Sequence, residues 1–66
     1  MTKASKLKLR RVAVGLKQKD VAEKAGITAA YLLQLEKGSA KNPSIELMKK
    51  LAEILGSTPQ ELFFAD

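Results

Sequence analysis

Neither cysteine nor histidine occurs in this sequence, so disulfides and the common zinc sites are unavailable for holding a small fold together. The same absence removes the usual nucleophiles and proton shuttles. The acidic side chains are few and scattered along what read as exposed helical faces, so no acid–base pair or metal cluster emerges and no enzymatic activity, metal or cofactor is expected. Glycine is scarce too, and its placement punctuates helices without forming a phosphate-cradling loop. No apolar run approaches the roughly 18 residues that a membrane span requires. No secretory apolar segment precedes the first charged residues, so export is not expected and the cytoplasm is the expected location. Low-complexity stretches, internal repeats and long linkers are all missing, which leaves a single domain over residues 1–66. A chain of this length buries only about 60% of the surface its unfolded form would expose. Without staples it must pack its helices economically or associate with a second copy.

What the sequence does have is positive charge, unevenly placed. The formal net charge is +5. Residues 1–19 carry seven cations (Lys3, Lys6, Lys8, Arg10, Arg11, Lys17, Lys19) and no acid, whereas the remainder carries five basic and seven acidic residues. A basic segment of this kind attracts a polyanion, and duplex DNA is the densest one in a cell; a merely solubilising face is the bland alternative.

The apolar spacing is helical between the glycines and prolines, with no sustained strand-like alternation. A first helix is predicted from about Ser5 to Val14, with Leu7, Arg11 and Val14 on its inward stripe and Leu9, Val12 and Ala13 beside it. A second, Gln18 to Ala25, turns Val21, Ala22 and Ala25 inward and stops at Gly26, where a left-handed residue is needed. Thr28 caps a third, Ala29 to Lys37, with Leu32 and Leu35 inward. After a loop over residues 38–43, Ser44 caps a fourth helix, Ile45 to Leu55, with Met48, Leu51, Ala52 and Leu55 inward. Thr58-Pro59-Gln60-Glu61 reads as a capping box opening a last helix that carries Leu62, Phe63 and Phe64. The expected fold is all-α, five short helices joined by tight turns.

The informative segment is QKDVAEKAGITAAYLLQLEK, Gln18 to Lys37. Two helices of eight and nine residues flank a turn that opens with Gly26. Ala22 provides the small side chain that a close, near-perpendicular crossing requires, and Ile27, Leu32 and Leu35 fill the angle between the helices. With Gly15-Leu16-Lys17-Gln18, Tyr31, Leu35-Glu36-Lys37-Gly38, Asn42-Pro43-Ser44-Ile45-Glu46 and Leu55-Gly56, this pattern resembles the Cro and lambda-repressor-like (Xre-type) helix-turn-helix family over essentially the whole chain. The resemblance implies a five-helix domain with the helix-turn-helix at its second and third helices. It also implies a transcriptional regulator, acting as a repressor, that binds double-stranded DNA as a homodimer in association with the nucleoid.

A helix lying in the major groove exposes a stripe facing away from its own core. On the third helix Ala30, Gln34 and Lys37 point outward, with Thr28 and Ala29 at the end that family members insert deepest. Gln34 is the candidate base reader, since its amide can bond adenine at two atoms. Ala29 and Ala30 stand where the family often carries base-reading side chains, and alanine makes no hydrogen bond, so direct readout there is modest or specificity comes from DNA shape. By resemblance, Gln18 at the start of the second helix bonds the DNA backbone. Thr28, Tyr31 and Lys37 flank the groove-facing stripe, and Lys41 and Asn42 lie in a loop resembling the family's backbone clamp. The ring of Tyr31 is also expected to pack against the second helix. Arg11 and Glu36, again by resemblance, form a partly buried ion pair tying the first helix to the third.

A protein-interaction module that keeps this frame but binds DNA only weakly or non-specifically is the rival reading, and the apolar Ala29, Ala30 and Leu33 favour it. No effector-binding segment is apparent, so no small-molecule effector is expected and dimerisation is expected to use the domain itself. Leu62, Phe63 and Phe64 are the candidate surface, unless the first two complete the core and Phe64 is merely exposed.

Overall fold

A computed structural model describes residues 5–38 and 43–64 of the chain. Four α-helices, α1 (Lys6–Ala13), α2 (Gln18–Ala25), α3 (Ala29–Lys37) and α4 (Ile45–Leu55), are followed by a C-terminal segment, Gln60–Phe64, wound as a π-helical turn. No strand occurs among the described residues. The bounds of α2, α3 and α4 are those that the caps and glycines predict. Thr28 Oγ1 accepts the amide of Tyr31 at 3.0 Å and Ser44 Oγ that of Leu47 at 3.1 Å, each satisfying a donor that the first helical turn leaves open.

The first helix is shorter than expected at both ends. Ser5 stays extended as its N-cap, accepting the Lys8 amide at 3.1 Å, and Val14 is its C-cap. Val14 therefore leaves the inward stripe and is 40% exposed, while Leu9 and Val12 are 56% and 59% exposed. The reason is the tight turn at Gly15, whose φ of +77° swings the chain away before another helical residue can face the core. Only Leu7 of α1 is fully buried. At the other end of the chain, Thr58 Oγ1 accepts the Glu61 amide at 3.2 Å, but the Glu61 carboxylate accepts from Ser57 Oγ and does not return to the Thr58 backbone; the capping box is half made.

The core joins every element. Leu7, Val21, Ala22, Ala25, Leu32, Leu35, Leu51, Ala52, Leu55 and Leu62 form one buried cluster, with Leu16, Ile27, Tyr31, Leu47, Ile54 and Phe63 packed against it. Helix α2 lies between α3 and α4, and α1 closes against α3 and the C-terminal turn. The three small side chains in that cluster, Ala22, Ala25 and Ala52, sit on α2 and α4, where they let the packed backbones approach closely. Arg10 adds a polar tie: its Nε donates to the Leu55 carbonyl at 2.8 Å and its Nη2 to that of Gly56 at 2.9 Å. These are carbonyls that the end of α4 leaves without helical partners, and a cation suits that end of the helix dipole.

Candidate nucleic-acid interface

The turn between α2 and α3 sets the angle at which α3 is presented. Gly26 adopts φ +74°, its amide donates to the Glu23 carbonyl at 3.2 Å, and the Ile27 amide donates to the Ala22 carbonyl at 2.9 Å. This paired 5→2 and 6→1 arrangement closes α2 in a Schellman motif and turns Ile27 back against the core. Two residues later Thr28 caps α3, so the two helices are separated by only three residues.

With Leu32, Leu35 and Glu36 buried, the direction of α3 is fixed. Thr28, Ala29, Ala30, Leu33, Gln34 and Lys37 are all exposed. Ala30, Leu33, Gln34 and Lys37 follow one another at i, i+3, i+4 and i+7, a single stripe along the outer face. Tyr31 is half-buried, its ring against the core. Lys41 and Asn42 lie outside the described residues.

Behind this face sits the most buried charge of the described residues. Glu36 is 4% exposed. Its Oε2 lies 2.5 Å from Arg11 Nε, and its Oε1 accepts from Arg11 Nη2 at 3.2 Å, a two-point pairing of guanidinium and carboxylate. Arg11 Nη1 donates further to the Leu16 carbonyl at 3.0 Å, and Gln18 Nε2 donates to Glu36 Oε1 at 2.9 Å. Arg11 of α1 and Gln18 of α2 thus reach the Glu36 carboxylate of α3, and Arg11 also ties in the turn after α1 through the Leu16 carbonyl. No buried side-chain nitrogen or oxygen among the described residues is left without a partner.

Two features of this arrangement are not foreshadowed in the sequence pattern. Half-buried Gln18 is tied to Glu36 through one amide N–H, so it is held in place and not loosely solvated. Arg11 turns inward and Arg10, though exposed, bonds the carbonyls at the end of α4, so two of the seven N-terminal cations serve the fold, while Lys17 and Lys19, on either side of Gln18, remain exposed. Adjacent arginines with different internal partners have no local signature; only the tertiary packing reveals them.

Two closely set helices with a capped, outward-facing second helix define a helix-turn-helix module. The chain belongs to the helix-turn-helix family of the Xre/Cro-like type, whose profile matches residues 7–62. It is 44% identical over 48 residues to the HTH-type transcriptional regulator DdrOP3 of Deinococcus deserti, covering 73% of this chain and 36% of that relative. It is 34% identical over 59 residues to an uncharacterized HTH-type transcriptional regulator, MJ0272, of Methanocaldococcus jannaschii, covering 89% and 88% respectively. The chain therefore spans about a third of the first relative and most of the second. Among solved structures, the restriction-modification controller protein C.AhdI from Aeromonas hydrophila superposes with a TM-score of 0.78 at 36% identity, covering 88% of this chain and 86% of that one. The biofilm master regulator SinR in complex with DNA matches with a TM-score of 0.78 at 31% identity, covering 88% and 95%. Among the described residues, no helix is long and apolar enough to cross a membrane.

Proposed function

We propose that this domain binds double-stranded DNA sequence-specifically, as a homodimer in the cytoplasm, and represses transcription by inserting α3 into the major groove. The observation that carries the reading is the exposed stripe of α3, held outward by a buried face and a capped turn, in a family whose relatives are named transcriptional regulators. Gln34 is the base reader, its amide matched to the N6 and N7 edge of adenine. Thr28, Ala29, Ala30 and Tyr31 line the approach, and Lys37, Lys41 and Asn42 supply phosphate contacts. Gln18 contributes from the start of α2: an amide nitrogen has two N–H groups, and with one given to Glu36 the other is fixed in direction and available to a phosphate oxygen. The Arg11–Glu36 pair is structural. No cofactor, metal or small-molecule effector enters this reading, and no catalytic step is assigned to it.

A second reading follows from Ala29, Ala30 and Leu33, which make the outer face of α3 unusually apolar for a groove-facing helix: the frame docks on a protein and touches DNA only non-specifically. Selecting bound sequences from a random duplex pool, with the wild type and with Gln34→Ala, separates the two. A two-fold symmetric site that loses discrimination at one position per half-site in the variant supports the proposal. Enrichment of no site at moderate salt rejects it in favour of the protein partner.

A further inference from the structure

Resting on the reading just given, the apolar part of α3 identifies the chemistry of the bases it faces. Four exposed residues occupy the outer stripe: Ala30, Leu33, Gln34 and Lys37. Leu33 is 38% exposed, and Ala29 and Ala30 stand one turn before it at i−4 and i−3. Together they form a small alkyl patch at the N-terminal half of the helix. Directly beside it are an amide, Gln34, and a hydroxyl already committed as a cap, Thr28.

On the major-groove edges of DNA only one group is apolar: the C5-methyl of thymine. Cytosine there offers an amino donor, and guanine two acceptors. A buried alkyl side chain satisfies neither, and an unpaired polar group removed from water is costly. The neighbouring amide adds to the same preference, because an A·T pair presents adenine N6 and N7 alongside the thymine methyl. The positively charged flank, Lys37 on α3 with Lys17 and Lys19 at the start of α2, fits a polyanion and not an apolar protein groove.

We infer that Leu33, seconded by Ala30, is a specificity-determining residue that packs on thymine C5-methyl groups, so that each half-site is an A·T-rich step read through methyl contact next to the adenine read by Gln34. The patch that looks like a lost base-reading surface is then a reader of methyl groups.

Replacing thymine by deoxyuridine tests this at the level of one group, since it removes the methyl and keeps the Watson–Crick pair. Starting from the selected duplex, each thymine is replaced singly and affinity is measured for wild type and for Leu33→Ala. Leu33 is 38% exposed and lies outside the buried cluster, so the variant is expected to fold, and a thermal melt verifies it. The expected result is a loss of about fourfold at one or two thymines per half-site, the worth of one buried methyl-sized group, and its disappearance at one of these in Leu33→Ala. Indifference to deoxyuridine at every position, or an identical penalty pattern in the variant, overturns the inference while leaving sequence-specific binding intact. Failure to select any duplex overturns the DNA reading itself, and this inference with it.

Discussion

Glu36 is a carboxylate whose side chain is 1% exposed, and three side-chain donor atoms are aimed at it: two from Arg11 and one from Gln18. Desolvating such a pair offsets most of its Coulombic attraction, so the pair as a whole adds little to stability, whereas removing one partner strands the other. Arg11→Met leaves Glu36 buried with a single neutral amide, at an expected cost of about 3–5 kcal/mol. That is roughly half to three-quarters of the stability of a domain this size, at about 0.1 kcal/mol per residue. The double variant Arg11→Met with Glu36→Leu strands no buried charge, only the Gln18 amide and the Leu16 carbonyl, and melts well above the single variant. A double variant that melts at or below the single one would mean that the pair is not the source of the cost. The identity of this pair follows from the family resemblance; an arginine on an inward stripe signals that a partner exists without saying which. Arg10 had no such signal. Its acceptors are backbone carbonyls 45 and 46 residues away, which no side-chain pattern encodes.

Helices were legible in proportion to their punctuation. Between Thr28 and Gly38, and between Ser44 and Gly56, a hydroxyl cap opens the helix and a left-handed glycine closes it, and the bounds follow. Helix α1 has apolar residues at Leu7, Leu9, Val12, Ala13 and Val14, so periodicity alone carries it to Val14 and keeps that residue on the inward stripe, from which the turn at Gly15 removes it. The C-terminal segment is legible as helical but not as a π-type turn, because no local pattern within Gln60–Phe64 marks that winding. Among the caps, Gly26 matters most to the interface, since it sets the α2–α3 angle. Its φ of +74° lies where a Cβ is disfavoured, yet the space around it is open, with nothing within 4 Å of an added Cβ. Gly26→Ala thus carries backbone strain without a clash. The expected loss is about 1 kcal/mol, equivalent to a fall in melting temperature of about 4–8 °C for a domain of this size. A circular-dichroism melt reads it directly. A drop several times larger would show that the turn has a second constraint beyond its dihedral angle.

At the scale of the whole molecule, surface is the scarce commodity. The chain exposes 4717 Å² in all, and a standard dimer interface takes about 800 Å² from each partner, roughly a sixth of it. The proposed dimer must find that area away from α3. Phe64 is 65% exposed at the end of the C-terminal turn, which packs on α1, the helix that carries the 56%-exposed Leu9. Leu62 is buried and Phe63 half-buried against the core, so of the consecutive Leu62, Phe63 and Phe64 it is Phe64 that is most open to a partner. Substituting it separates association from folding. Phe64→Ser removes an exposed ring and leaves the buried cluster untouched, so its melting temperature at low protein concentration is expected to stay within a few degrees of the wild type. Its sedimentation coefficient is expected to fall to that of a monomer at concentrations where the wild type is a dimer. On DNA, the variant would bind a duplex carrying two half-sites no more tightly than one carrying a single half-site, because the energetic link between them is gone. If Phe64→Ser instead dimerises as the wild type does, the symmetric contact lies elsewhere, and the exposed Leu9 and Val12 of α1 are the next residues to replace.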